Sequence, residues 1–225
     1  MKASGLDTGT GPSLVERIYD NTRTAILDGR YKPGQRLRLQ DIAAENAASF
    51  IPVREALRLL EVGRLVEIIP NKGARVAEIS EEDMVDAYDL RLLLETMALE
   101  RACSRITPEE VARARHLHAA MMDAFSKGLV EQASLHHRDF HLTLYSAARS
   151  NWLSHVIELL MASTDRYRRL LTPARPSQSH LQKTSDQHGA ILEAVARGDP
   201  AAARTVLQEH LSETVQRFRA KLSRD

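Results

Sequence analysis

The stretch from Ser49 to Leu65 constrains the fold of this chain more than any other part of it. Apolar residues recur there at i, i+4 and i+7, the spacing that places side chains along one side of an α-helix. These residues are Val53, Leu57 and Leu60. A helix with one apolar side must bury that side, so the stretch predicts a helix packed on a core.

A second side of the same predicted helix carries a ring and two cations. Phe50, Arg54 and Arg58 recur at i, i+4 and i+8, so they project together beside the buried side. Two guanidinium groups on one exposed ridge favour an anionic partner. Ser49 is a candidate N-cap, and Pro52 is tolerated in the first turn because N–H groups there lack helical acceptors.

The neighbouring segments extend this helix into a larger unit. Residues 39–46 predict a short helix, and a tight joint at residues 47–48 connects it to the next one, as in a helix-turn-helix. Residues 65–69 and 74–77 predict two strands joined by a turn at residues 70–73, which form a small β-hairpin wing. The second helix of such a unit can lie in a DNA major groove.

Several ordered pieces of this region resemble the winged helix-turn-helix of the GntR superfamily of bacterial transcription regulators. The pieces are Pro33-Gly34, the run from Ser49 through Leu57 to Gly63, and the run from Gly73 to Val76. The resemblance covers residues 13–77 and implies that the recognition helix reads operator bases while the wing tip enters the minor groove. The candidate DNA-contacting residues are Arg36, Arg38, Gln40, Ser49, Phe50, Arg54, Arg58, Lys72 and Gly73.

The chain departs from the family pattern at Phe50, where the family usually has arginine directly after the serine. Arginine there would bind guanine edges or phosphate, whereas phenylalanine can make only apolar contacts, such as one with a thymine methyl group. The operator preference of related regulators therefore does not carry over to this chain.

Composition describes a folded, non-membrane protein. Of 225 residues, 43% are hydrophobic and 27% charged, which supports a real core and a charged surface. No apolar run approaches the ~18 residues that span a bilayer, no signal peptide is visible, and Cys103 is the single cysteine, so we expect a cytoplasmic protein.

The net charge is only +1, so DNA binding must come from locally placed cations. Arg36 and Arg38 are either such cations or solvated surface charge.

The chain is predicted to be mainly α-helical, with three parts. Residues 1–12 predict a disordered arm, residues 13–77 the winged helix-turn-helix, and residues 78–225 an all-helical domain. Helices are predicted near 81–104, 108–127, 129–148, 151–171, 178–197 and 200–222. Their short connections favour a C-terminal antiparallel bundle of six to seven helices.

Four of the nine histidines fall on predicted buried stripes of this bundle. They are His137, His141, His188 and His210, and they come from three helices. Any one of them has an ordinary alternative as a core histidine whose nitrogens find partners. Burying four together is harder, because each brings a polar nitrogen that must be satisfied away from water. A divalent metal ion satisfies several at once, and imidazole ligands favour Zn or Ni.

Residues 81–222 resemble the all-helical effector domain of the FadR branch of this superfamily, in its metal-binding form. The matching pieces are Phe140-His141, then His188 with Ile191-Leu192, and His210-Leu211. The resemblance implies a metal held by these histidines and by an Asp one turn before the first. This chain has His137 at that position, and Asp139 lies about 200° around the helix from it. Either four imidazoles bind the metal, or His141, His188 and His210 bind it alone.

Arg91 and Glu95 lie one turn apart on the first predicted bundle helix. As an exposed ion pair they would contribute about 0.3 kcal/mol. Turned inward, Arg91 could hold a carboxylate through two hydrogen bonds. The resemblance implies small carboxylic acids as effectors, which makes Arg91 a candidate effector-binding residue.

The leading hypothesis is a ligand-responsive transcription regulator. A homodimer would place two recognition helices ~34 Å apart on a near-palindromic operator, and a small organic acid in the metal-containing bundle would modulate DNA binding. One alternative is a metal-dependent hydrolase that uses the histidine cluster, although no His-Glu-x-x-His motif is present. Another is a DNA-binding dimer with no effector.

Overall fold

A computed structural model of the chain describes residues 11–70, 72–173 and 175–223. The predicted arm lies outside the described residues as far as residue 10. The helices and strands, in order, are α1 (Leu14–Leu27), β1 (Arg36–Leu37), α2 (Leu39–Glu45), α3 (Phe50–Val62), β2 (Val66–Ile69), β3 (Gly73–Val76), α4 (Glu81–Ala102), α5 (Pro108–Ser126), α6 (Val130–Ser146), α7 (Asn151–Leu171), α8 (Gln178–Ala196) and α9 (Pro200–Leu222). The chain divides into two compact units, the first ending at Glu78 and the second beginning at Ile79.

The first unit is a winged helix-turn-helix, which confirms the predicted fold class. Val53, Leu57 and Leu60 of α3 are buried, as their spacing predicts, and they pack in one core with residues of α1, α2 and the sheet. The turn between α2 and α3 places Ala47 in the left-handed region, at φ +48°. That backbone reversal lets two short helices share one core.

The wing has one more strand than the sequence predicted. Its three strands are antiparallel in the order β1-β3-β2, and Arg36 pairs with Arg75 across the added edge. A two-residue strand carries too little alternation to be recognised in a sequence. Gly73 begins β3 at φ +88°, and a Cβ there would lie 2.7 Å from the Leu37 carbonyl oxygen, so only glycine lets β1 approach the wing turn.

The serine caps differ between the helices. Ser13 forms a full capping box at the start of α1, with Glu16 as its reciprocal partner. Ser49 occupies the N-cap position of α3, but its side chain makes no capping hydrogen bond. The predicted cap at Ser49 is therefore correct in position and wrong in its side-chain contact.

The second unit contains α4 to α9, and each predicted bundle helix begins and ends within two residues of its expected bounds. Five of these helices begin at a side chain that accepts a backbone hydrogen bond from the third helical residue: Ser80, Thr107, Ser150, Ser177 and Asp199. The main core of the unit includes Phe140, Tyr145, Ile191 and Phe218, and a smaller cluster between α5 and α6 contains Met121, Ala124, Phe125 and Ala133. Within the described ranges, no helix has both the length and the apolar character needed to cross a bilayer.

Candidate functional site

The second unit brings the four predicted histidines together. His137 and His141 come from α6, His188 from α8 and His210 from α9. One ring nitrogen from each lies within 4.8 Å of the others. Three of the four residues are buried and His210 is partly buried. The helical spacing and the burial predicted from the sequence thus place four potential ligand atoms around one point.

Neighbouring groups determine which nitrogen of two rings carries the lone pair. His188 Nδ1 lies 2.8 Å from the Thr184 carbonyl oxygen, to which it must donate, so its Nε2 is the free acceptor. The Tyr145 hydroxyl donates to Glu95 Oε2 at 2.5 Å and lies 3.1 Å from His141 Nδ1. Because that hydroxyl proton is committed to Glu95, the hydroxyl oxygen accepts from His141 Nδ1–H, and His141 Nε2 also keeps a lone pair.

The remaining nitrogens identify the ligand atoms. His141 Nε2, His188 Nε2 and His210 Nδ1 are buried and have no hydrogen-bond partner among the residues that the structure describes. Leaving several buried polar atoms unpaired in one place is costly, and a divalent cation would satisfy them all. The donor set therefore fits a metal ion. His137 offers a nitrogen within the same distance, so both the three-ligand and the four-ligand versions of the site are compatible with its position.

The protonation of the cluster also suits metal binding. Burial lowers the pKa of His188 to about 4. Burial lowers the pKa of His141 and His210 well below the usual value of about 6.5, and the neighbouring His188 adds to the effect. For His137 the second cause after burial is the charge of Arg168. All four imidazoles are therefore neutral at pH 7, the form in which they bind metal.

Arg91 and Glu95 point into the bundle, so the exposed alternative considered for this pair is wrong. Arg91 Nε donates to Glu95 Oε1 at 2.6 Å, and both side chains are almost fully buried. Arg91 Nη1 also donates to Thr164 on α7 at 3.2 Å. The reason is that α4 packs on both α7 and α9, so more than one side of it is enclosed. The carboxylate that Arg91 holds belongs to the protein itself.

A cavity of about 70 Å³ adjoins the histidines. His137, His188 and His210 line it, and so do three arginines: Arg91, Arg168 and Arg217. Among the described residues of its wall, Glu213 is the one acid, and it is paired with Lys183 at 2.8 Å. Arg91 is paired with Glu95 and Arg168 with Asp165, so the excess positive charge of the wall lies at Arg217.

His118 belongs to this region although the sequence reasoning missed it. Its ring lies 6.3 Å from that of His188 and 5.9 Å from that of Phe140. A signal was available, because His118 continues a helical stripe with Ala114 and Met121, both of which are buried. The helical pattern also gave no sign that the Tyr145 hydroxyl connects Glu95 with His141.

The predicted DNA-contacting residues lie on the surface of the first unit. All are exposed except Gly73, which is partly buried. Arg54 and Arg58 share the exposed side of α3, where Arg58 also contacts Glu55 at 2.8 Å. Arg36 Nε donates to the Lys72 carbonyl at 3.1 Å, so these two residues meet at the wing turn. The structure thus groups the candidates on α3 and on the wing.

Comparison with known proteins gives matches over most of the chain. Residues 14–76 match the model of bacterial regulatory proteins, gntR family, and residues 86–213 match the model of the FCD domain. The chain is 31% identical over 199 residues to the HTH-type transcriptional repressor GlaR of Escherichia coli K12, covering 86% of this chain and 90% of GlaR. It is also 31% identical over 157 residues to the regulator McbR of the same organism, covering 68% of this chain and 71% of McbR.

Solved structures share the fold. The structure of Escherichia coli McbR/YncC superposes with a TM-score of 0.80 at 24% identity, covering 94% of this chain and 100% of that one. A GntR protein from Rhodococcus sp. RHA1 gives 0.74 at 23% identity, covering 93% and 99%. At these identities the likeness concerns the fold alone.

Proposed function

The chain belongs to the GntR family of bacterial regulatory proteins, and on that premise we propose that it is a regulator whose DNA binding responds to a small organic acid held at a metal ion. Its family and relatives are transcription regulators and not enzymes, so the hydrolase alternative falls away. We assign DNA binding to the unit ending at Glu78 and effector binding to the unit beginning at Ile79. A cytoplasmic location, where such a regulator meets its DNA, is part of the proposal.

The observation that carries the effector half of this proposal is the group of unpaired buried imidazole nitrogens beside a cationic cavity. His141, His188 and His210, with His137 as a fourth, would hold the metal. Imidazole ligands favour Zn or Ni over harder ions. When bound, the metal supplies a positive charge and open positions for an anionic ligand.

Charge and size together favour a small carboxylate as the effector. Neutral imidazoles leave the charge of a divalent ion uncompensated, and Arg217 adds a further cation to the cavity wall, where Arg168 is already paired with Asp165 at 2.5 Å. Arg217 Nη2 donates to the Leu171 carbonyl oxygen, and no described residue accepts a hydrogen bond from its other N–H groups. Arg217 is therefore the better anchor for the carboxylate of an effector. Arg91 remains a candidate, although Glu95 and Thr164 already take two of its donors. The cavity of about 70 Å³ is smaller than the ~150 Å³ space that holds benzene, so the acid has few carbon atoms.

We further propose that the protein acts as a homodimer on a near-palindromic operator. One recognition helix reads only a few base pairs, and two related by a two-fold axis give the usual half-site spacing of ~34 Å. Helix α4 carries three large exposed apolar residues one turn apart: Leu90, Leu93 and Met97. A second copy that covers this stripe would remove it from water. Analytical ultracentrifugation of Leu93→Asp tests this, since the variant should sediment as a monomer.

The metal is tested on the purified full-length chain by elemental analysis and thermal unfolding. We expect about one divalent ion per chain, with chelation lowering the unfolding temperature. His188→Ala should lose the ion, while His155→Ala, which removes an exposed histidine of α7, should keep it. Wild-type protein that neither contains a metal nor takes one up at neutral pH would contradict the proposal.

The effector is tested with pairs of small acids and their neutral amides, such as acetate with acetamide and lactate with lactamide. A carboxylate that binds at the metal should raise the unfolding temperature of loaded protein and change its affinity for a duplex selected from random DNA. The amide should do neither. If every acid leaves both measurements unchanged while the protein binds its selected duplex, the alternative of a DNA-binding dimer without an effector is correct.

A further inference from the structure

Two large apolar side chains stand exposed at the first two positions of α3. Phe50 is 51% exposed and Ile51 is 75% exposed, whereas Val53 and Ala56 in the following turn are fully buried. The core of the first unit therefore does not need Phe50 or Ile51. Apolar surface of this size in water gains free energy when a partner covers it.

The position of the pair relative to the cations points to the partner. Arg54 follows Ile51 by three residues and Phe50 by four, so its side chain neighbours both on the helix surface. Arg58 follows Ile51 by seven residues and extends the same exposed side. An apolar edge directly beside two guanidinium groups complements a polyanion that also displays apolar groups. DNA displays them in its major groove.

The chemistry of the bases limits what these two side chains can recognise. Neither phenylalanine nor isoleucine has a hydrogen-bond donor or acceptor in its side chain. The major-groove edges of the bases present donors, acceptors and one apolar group, the C5-methyl of thymine. The N-terminal residues of a recognition helix are those that reach base edges, and Phe50 and Ile51 are the first two residues of α3.

We propose that Phe50 and Ile51 together read thymine methyl groups in each operator half-site, next to the bases or phosphates that Arg54 and Arg58 contact. This inference rests on the proposed function, because it requires α3 to enter the major groove. It adds Ile51 to the residues that determine operator choice. It also assigns to the first turn of α3 an apolar readout that depends on the 5-methyl group rather than on hydrogen bonds.

The competing occupant is another protein that covers the whole exposed side of α3. Leu59 and Val62, at the other end of the helix, are 48% and 64% exposed. A protein partner would contact these residues as well as Ile51, whereas the N-terminal end alone reaches base edges. Val62→Ala is therefore a matched control, since it trims an exposed β-branched residue from the same helix.

The experiment begins with duplexes selected from a random DNA library by the full-length protein. Each thymine of the enriched sequence is replaced singly by uracil, which removes the methyl group and keeps every hydrogen-bonding group. We expect one or two positions per half-site at which wild-type affinity falls about fourfold, as measured by fluorescence anisotropy. Ile51→Ala and Phe50→Ala should bind the thymine duplex less tightly and should each lose the uracil penalty at one of these positions.

The controls separate the inference from its premise. Val62→Ala should keep both its affinity and its uracil penalties, and circular dichroism should show all three variants folded. Uracil duplexes that bind as tightly as thymine duplexes at every position would overturn the inference while leaving the regulator intact. Uracil penalties that survive in both Phe50→Ala and Ile51→Ala would also overturn it. A selection that enriches no sequence would overturn the proposed function as well.

Discussion

Glu95 on α4 and Tyr145 on α6 are joined by a hydrogen bond of 2.5 Å, in which the tyrosine hydroxyl donates to Glu95 Oε2. The other carboxylate oxygen of Glu95 accepts from Arg91 at 2.6 Å, and the same hydroxyl lies 3.1 Å from His141 Nδ1. One buried carboxylate therefore neutralises a buried cation and, through a phenol, orients a candidate metal ligand. The predictions for this network follow from these two separate roles.

Tyr145→Phe should weaken metal binding about tenfold, because groups that orient a metal-bound histidine usually contribute that much or more. The variant removes the acceptor that holds His141 in the tautomer with Nε2 free. Competition with a chromophoric chelator measures the affinity. Tyr167→Phe is the matched control, since it removes a tyrosine hydroxyl bonded to Asp83 instead of the histidine cluster. Equal metal affinities in wild type and Tyr145→Phe would refute the orienting role.

Glu95→Ala should lower the free energy of unfolding by about 3 to 5 kcal/mol, because it leaves the Arg91 guanidinium buried without its counter-ion. Urea denaturation of the full chain measures this loss of stability, with the unfolding of the bundle followed spectroscopically. Glu193→Ala breaks the exposed pair with Arg115, and for such surface pairs the cost is about 1 kcal/mol or less. Similar costs for the two variants would mean that water or another group compensates Arg91.

Ser13→Ala and Ser49→Ala should differ in cost although both serines occupy N-cap positions. Ser13 loses a capping box, for which about 1 kcal/mol is typical. Ser49 makes no capping hydrogen bond, so its loss should cost less than about 0.5 kcal/mol. Chemical denaturation of the two variants, compared as midpoints, measures the difference. A larger loss for Ser49→Ala would show that this serine caps α3 in solution.

Periodicity allowed much of the fold and the site to be predicted. The buried side of α3 and the inward orientation of His141 and His188 each depend only on helical spacing, which a sequence displays directly. The GntR family assignment and the mainly helical fold are likewise confirmed. Helix boundaries are indicated by local breaks at Thr107-Pro108, Gly128 and Asp199-Pro200, each of which acts within a few residues of chain.

What the sequence could not supply depends on contacts between distant segments. The two-residue strand β1 exists because β3 pairs with it. Buried Arg91 donates to Thr164, which is 73 residues away. The Tyr145 hydroxyl donates to Glu95, which is 50 residues away. A helical pattern says which side of a helix is enclosed but not which polar groups meet there.

Arg54→Ala should lower the ratio of the affinities for the selected duplex and for random DNA at least about fivefold, while leaving the fold intact. A good contact between arginine and a base contributes about 1 to 3 kcal/mol of discrimination, and Arg54 is exposed on α3. Fluorescence anisotropy with both duplexes at matched salt measures the ratio. Arg30→Ala removes an exposed positive charge from the same unit and should lower both affinities equally, so that the ratio stays at the wild-type value. A ratio in Arg54→Ala equal to that of the wild type would contradict the assignment.

His137→Asp should make metal binding tighter and less dependent on the organic acid. In the wild-type cluster the four candidate ligands are neutral, and Arg168 is among the charges that act on His137. A divalent ion there keeps its full charge until an anion arrives, so metal and anion should each strengthen the binding of the other by the same factor. An Asp at position 137 supplies a negative charge permanently. We therefore expect metal affinity to rise, with a shift toward harder ions such as Mn²⁺.

The coupling between metal binding and anion binding is measured as the ratio of metal affinities with and without acetate. Chelator competition at constant ionic strength gives both affinities. The ratio should exceed unity in wild type and fall toward unity in His137→Asp, with acetamide giving no effect in either protein. The d–d spectrum of Co²⁺-loaded protein reports the ligand set independently, because a carboxylate in place of an imidazole changes it. If the spectrum and the metal affinity are both unchanged in His137→Asp, then His137 is not a ligand, and the metal is held by His141, His188 and His210 alone.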